Sequence, residues 1–469
     1  MNSAVLWLSA LAALPTAVAA ASRFPLERER MRRLALAAAA LLLLASLLPA
    51  FSAQLRALAL HATPGATLLR VNALSSALLP LAAGLWLLTV AVTPHASLDR
   101  DGLMRSALAT LVTLASFLTE SATALCLLQA AALWIFLSAL RDPALRHQHR
   151  IVARYLGAST ALLGIGAALL LWRGTHAAAV QAVALALIAL AALLRKGIVP
   201  FHAWMPEVFD HGRLGPAILF SAPQVGAYLV VVLVVPRASP ILLREVALLA
   251  LGTAVYGAAL ALVQHSARRA CGYLFMSQSA LVLVGLDCTS SSALTGGLLV
   301  WLSSGLAFAG LARIVLVLEA RRGRLDLTKH HGGYGRTPLL ATSFLILGLA
   351  CTGFPGTLGF IGENLLLHGA VESFPLMGYA IVAASALTGV AVLRMYFSLF
   401  CGRPDPRVHS SLRFELKRRE AVAFAALLAA LIGLGIAPNP LVRSRLRASD
   451  QLLQLRQLRR IPPPALIAR

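Results

Sequence analysis

Apolar residues in this chain come in long runs separated by short polar or basic loops. The runs are roughly 18–22 residues long, the length a helix needs to cross a bilayer core. Length and apolarity predict about fourteen spans, with cores at 4–20, 34–51, 72–93, 103–119, 121–140, 152–172, 176–196, 214–235, 244–263, 270–286, 292–318, 338–369, 377–400 and 420–437. The seventh and twelfth are interrupted. The seventh ends in Arg195-Lys196 and runs on through Pro200, Phe201, His202, Trp204 and Pro206. The twelfth carries Gly353-Phe354-Pro355-Gly356. Such breaks at membrane depth free backbone groups that neighbouring protein or water must satisfy. Ionisable residues beside them cost free energy unless they pair, reach the interface or face an aqueous path. Each break therefore predicts a polar site.

Composition narrows the class. Hydrophobic residues make up 59% of the chain, charged residues 13%, and the mean hydropathy is +0.80. A soluble domain with so little charge could not cover its surface. The expected fold is an all-α polytopic integral membrane protein, with the lipid bilayer as its main solvent. The formal charge of +23 does not imply nucleic acid, because the cations sit in short loops and in the tail. Loops 21–33, 141–151, 264–269, 319–336 and 403–419 are basic and the intervening ones are nearly free of cations, which predicts cytoplasmic basic loops and an N-terminus outside. The first run reads as a retained helix rather than a signal peptide, since its arginines follow the apolar stretch. The tail, with Arg443, Arg445, Arg447, Arg456, Arg459 and Arg460 before Pro462-Pro463-Pro464, reads as an amphipathic surface helix or a solvated basic tail.

Little suggests a redox or metal centre. The five cysteines are far apart and form no CxxC pair, and no nucleotide-binding glycine loop is present. His147, His149, His330 and His331 lie in loops with nothing to complete a ligand set. We expect no cofactor, no metal and no catalytic centre within the chain. The organisation matters more. Spans four to eight and nine to thirteen form two groups of five, each with its break at the fourth position. Five is odd, so the second group is expected to be inverted relative to the first, and paired broken helices in inverted repeats point to a transport path between them. This divides the chain into 1–102, 103–236, 237–402, a last span in 403–440 and a tail at 441–469.

Four ordered motifs then carry a resemblance. Arg195–Pro206 resembles the K-x-x-x-x-P-F-H-x-W-x-P signature of the antiporter-like membrane subunits of respiratory complex I, a family shared with multisubunit cation/proton antiporters and membrane-bound hydrogenases. Gln264–Tyr273 resembles its Q-x-D-x-K-R-x-x-A-Y segment, and Gly353–Glu363 its G-x-P-G-x-x-x-F-x-G-E stretch. Glu420 and Gly433–Pro440 resemble its last helix, and the likeness covers roughly residues 70 to 440. The resemblance implies fourteen helices, two inverted five-helix repeats, a bacterial-type cytoplasmic membrane, other membrane subunits as partners, and protons or monovalent cations as cargo.

It also implies a buried ionisable line, and here the chain departs from the family pattern. The fifth-helix glutamate position falls on Gln129, and the seventh-helix lysine position on Arg195, with Lys196 next to it. Arginine hardly deprotonates, so Lys196 could replace the lysine only if the helix end turned it inward. The eighth-helix lysine position falls on Gln224 and the buried histidine position on Ser304, while the twelfth-helix carboxylate is kept as Glu363. Pro200, His202, Pro206, Pro355 and Gly356 are expected to hold the two breaks. The expected function is proton or ion translocation within a larger complex. The alternatives are a non-pumping structural or assembly paralogue, or the membrane subunit of an inorganic-carbon uptake complex.

Overall fold

In a computed structural model of the chain, described for residues 3–25, 27–52, 55, 59–63, 66–94, 99–172, 177–288, 290–402 and 416–460, helices follow the apolar runs closely. Among those residues twelve helices are long and apolar enough to cross a membrane. Two shorter apolar helices accompany them, one at the N-terminus and Pro338–Cys351. The elements are α1 (Ser3–Ala21), α2 (Arg28–Phe51), α3 (Ser75–Val92), α4 (Arg100–Leu118), α5 (Ala122–Ala139), α6 (Arg146–Leu171), α7 (Ala177–Lys196), α8 (Trp204–His211), α9 (Leu214–Ser221) and α10 (Val225–Leu229). They continue as α11 (Pro240–Val263), α12 (Ala267–Asp287), α13 (Ser291–Arg322), α14 (Pro338–Cys351), α15 (Leu358–Ser373), α16 (Pro375–Phe400), α17 (Arg418–Ile436) and α18 (Asn439–Arg460). One feature departs from a purely helical chain: β1 (Ala59–Thr63) and β2 (Ala66–Arg70) pair as an antiparallel hairpin between α2 and α3.

Helices in lipid gain little from hydrophobic burial against one another, so close backbone approach does much of the packing. A Cβ built on Gly285 of α12 would lie 2.6 Å from Gly297 Cα of α13, and one on Gly296 would lie 2.2 Å from the backbone of Leu366 in α15. α13 thereby becomes the central strut, buried along most of its length, with Trp301 and Phe308 fully enclosed.

The two ends of the bundle differ. One end gathers the basic loops and ties them with ion pairs: Arg268 to Glu319, Arg324 to Asp210 and Arg321 to Glu420, the last at 2.7 Å. At the other end lies α18. Its Arg445, 1% exposed, donates to the Ala73 and Leu74 carbonyls at 2.6 and 3.2 Å, and its Asp450 accepts from Ser291 at 2.9 Å. The tail is thus a docked helix, not a solvated segment. Pro462-Pro463-Pro464 lies outside the described residues.

Candidate functional site

The first break is built from a glycine cap. Gly197, with φ +67°, ends α7: Ile198 N–H donates to the Leu193 carbonyl at 3.0 Å and Gly197 N–H to the Leu194 carbonyl at 3.2 Å, the Schellman pattern. Trp204 Nε1 also donates to the Leu194 carbonyl, at 2.9 Å, and Val199 N–H finds Thr253 Oγ1 at 3.1 Å. Pro206 stands in the first turn of α8, where its missing N–H costs nothing. His202 meets Tyr256 edge-on, with centroids 5.3 Å apart. Pro200 lies in the turn between the half-helices, and Thr253 and Tyr256 of α11 support the break from outside the motif.

The helix end separates the two adjacent cations. Lys196, 3% exposed, turns inward; its Nζ donates to Gln224 Oε1 at 2.8 Å, and Gln224 Nε2 donates to Ser304 Oγ at 3.1 Å. Three expected residues from three elements thus form one buried line. Gly226 makes room for it, since a Cβ there would lie 2.6 Å from Lys196 Cγ. A void of about 10 Å³, near the least that holds one water, lies among Lys196, Gln224 and Ser279. Arg195 borders the same void but has its guanidinium 4.4 Å over the Phe220 ring and takes no part in the hydrogen-bonded line. The family spacing selects Arg195, but the geometry selects Lys196. Successive helix residues project about 100° apart, so the two meet different partners, Lys196 the Gln224 amide and Arg195 the Phe220 ring, although both line the small void.

Gln224 also explains a correction. Each five-helix group was expected to hold one interrupted helix, yet the eighth span is broken as well, between α9 and α10. Pro223 offers no N–H, and its carbonyl accepts from Trp301 Nε1 at 2.9 Å. Gln224 follows with φ +56°, a left-handed conformation that costs an L-residue about 1–2 kcal/mol. Both ends of its amide are hydrogen-bonded in return. Beyond α10 the span continues as a π-turn, Val230–Val234.

Gln129 stands apart from this line. Its Nε2 donates to Ser159 Oγ at 2.9 Å, and Ser159 donates to the Ala191 carbonyl of α7, so it packs α5 against α6 and α7. Asn72, where an acid would head the third helix in the family pattern, forms a reciprocal cap with Ser75 at 2.8 and 2.9 Å.

The second break repeats the construction. Gly353 has φ +65°, and Phe354 N–H donates to the Leu349 carbonyl at 3.1 Å. Phe354-Pro355-Gly356-Thr357 then makes a type II turn: Gly356 has φ +87°, and Thr357 N–H returns to the Phe354 carbonyl at 3.2 Å. Glu363, in the second turn of α15, does not cap that helix. It accepts from Ser385 of α16 at 2.9 Å, and a Cβ on Gly353 would lie 2.5 Å from its Oε2. Glu363 is half-buried, and among the described residues no hydrogen bond links it to Lys196, Gln224 or Ser304.

One residue escaped sequence reasoning. Asp287 ends α12, is 3% exposed, and neither carboxylate oxygen has a hydrogen-bond partner among the described residues. The charges acting on it are those of Lys196 and of Arg456 from α18. The available signal was a lone carboxylate at the end of an apolar run, which reads equally well as the start of a loop.

A polar line at a broken, membrane-depth helix defines the class as a polytopic membrane protein built around interrupted helices. A family model described as NADH:quinone oxidoreductase/Mrp antiporter, transmembrane, matches residues 113–388, from α4 to α16 and across both breaks. The chain belongs to that family. It is 28% identical over 255 residues to NADH-quinone oxidoreductase subunit M of Mycobacterium tuberculosis, a match covering 53% of this chain and 46% of that protein. The chain thus spans about half the length of the curated relatives it matches. The fold is similar to a chain of respiratory complex I from Thermus thermophilus, with TM-score 0.85, 21% identity, and 96% of this chain and 99% of that one covered. It is also similar to a chain of the Mrp complex from Dietzia sp., with TM-score 0.84, 17% identity, and 97% and 98% covered. These two likenesses concern the fold.

Proposed function

We propose that this chain is an antiporter-like membrane subunit of a complex I-like or Mrp-type assembly and takes part in moving protons or monovalent cations across a bacterial cytoplasmic membrane. The observation that carries the reading is the buried line Lys196–Gln224–Ser304 at a helix break, with Asp287 as a nearby counter-charge. Lys196 binds and releases the proton, because an ammonium deprotonates where a guanidinium hardly does. Gln224 positions Lys196 and does not pass the proton on, since its amide does not titrate. The void beside Lys196 and Ser279 has room for one water to take the proton from that lysine. Glu363 is a second exchange site, served by Ser385 and separate from the first.

In this reading the chain has fourteen spans, with residues 103–236 and 237–402 as inverted five-helix groups. The basic end faces the cytoplasm and the N-terminus lies outside. Its partners are other membrane subunits, as in the assemblies named for its structural likenesses. A second reading, a structural paralogue that does not pump, is favoured by Gln129, Gln224 and Ser304, none of which titrates in the physiological range. The test is proton flux in vesicles holding the assembled complex. Lys196→Ala and Glu363→Gln should both lower it. Normal flux in both variants, with assembly failing when the subunit is deleted, would establish the structural reading instead.

A further inference from the structure

Arg195 also lines a cavity of about 460 Å³, together with residues at or beside the starts of α4, α9 and α12 at the basic end. We infer that this cavity is an anion site, taking an oxyanion or carboxylate either free in solution or on a lipid headgroup.

The charge around it carries the argument. Four arginines line the cavity, and three have carboxylate partners: Arg105 with Asp99 at 3.9 Å, Arg213 with Asp142 at 3.9 Å, and Arg268 with Glu319. Asp99 is the one carboxylate in the lining, and it is engaged further by Gly102 N–H at 2.7 Å. Arg195, 6% exposed, has no carboxylate within ion-pair distance among the described residues. Stacking on Phe220 occupies the face of its guanidinium, and the N–H donors lie in the plane, where an oxyanion can be gripped by two at once.

A second, fully buried guanidinium stands behind the wall. Arg313 is 0% exposed and is held by Thr93 Oγ1 at 2.9 Å and Thr89 Oγ1 at 2.8 Å, both threonines lining the cavity. Arg32, 1% exposed, converges on the Thr93 carbonyl from the other side. Buried cations without counter-charges raise the potential of a recess with low-dielectric walls and favour an anion there. The volume falls in the range of small-molecule sites.

The test uses the full chain in phosphatidylcholine nanodiscs and follows its thermal unfolding midpoint, so it needs no flux and stands apart from the transport reading. Inorganic phosphate or bicarbonate, against chloride of equal ionic strength, should raise the midpoint saturably. Arg195→Gln should weaken the apparent affinity about tenfold or more, as expected for a lost charge-assisted contact. Ala132→Phe, which fills the cavity from α5 and keeps Arg195, should do the same and serves if Arg195→Gln fails to fold. If phosphatidylglycerol in the discs raises the midpoint and abolishes the phosphate response, the occupant is a headgroup. If it does neither, the occupant is a free anion. Equal phosphate responses in wild type and both variants, or no response to phosphate, bicarbonate or phosphatidylglycerol, would overturn the inference.

Discussion

The two helix breaks share one construction and differ in what they serve. Both end a half-helix on a left-handed glycine, Gly197 or Gly353, whose cap satisfies the freed carbonyls. Both leave room for a charged side chain by omitting a Cβ, at Gly226 beside Lys196 and at Gly353 beside Glu363. At the first break the charge is sealed and joined to two further polar residues on two other elements. At the second it is half-buried with one hydroxyl for company. Equal backbone devices therefore do not imply equal chemistry. The first break feeds a line, and the second exposes a single carboxylate.

The comparison can be broken from the first side most easily. Lys196→Ala removes the only titrating member of the line and should lower proton flux by about 10² or more, the scale of a lost acid–base group. Stability should fall as well, by about 1–3 kcal/mol, because the Gln224 carbonyl oxygen is left buried without its donor. Denaturant titration in detergent would measure that loss. Gly226→Val is the next largest effect: its side chain must displace Lys196 and should cost about 1–3 kcal/mol while lowering flux.

The second side should yield less. Glu363→Gln is expected to lower flux by a smaller factor than Lys196→Ala, since no hydrogen bond joins Glu363 to the line. A larger loss there would reverse the ranking of the two breaks. Ser385→Ala should be smallest, removing one hydrogen bond worth about 1 kcal/mol and leaving Glu363 in reach of other solvation.

Much of this was legible in the chain. The span boundaries follow from apolar run length, and both breaks follow from glycine and proline placed where a helix must stop and turn. Phe354-Pro355-Gly356-Thr357 reads directly as a type II turn, and Lys196-Gly197 as a helix end. The β1–β2 hairpin was not expected, because its two five-residue strands are short and stand between long apolar spans. Which of two neighbouring cations faces inward was not legible. Spacing to Pro200 counts residues along the chain, whereas the facing depends on where the cap stops the helix. The break at Gln224 was hidden because a single proline in an apolar run is compatible with an unbroken membrane helix. Asp287 was hidden because the cation acting on it from α18, Arg456, lies more than 150 residues further along.

The most direct measurement exchanges the two cations' chemistry in the assembled complex and follows proton flux in sealed vesicles. Lys196→Arg keeps a charge but forbids deprotonation, and Arg195→Lys does the reverse one residue earlier. The account predicts that Lys196→Arg loses flux with assembly intact, while Arg195→Lys lowers it by a much smaller factor. Flux kept in Lys196→Arg and lost in Arg195→Lys would contradict it, placing the proton on the residue outside the hydrogen-bonded line.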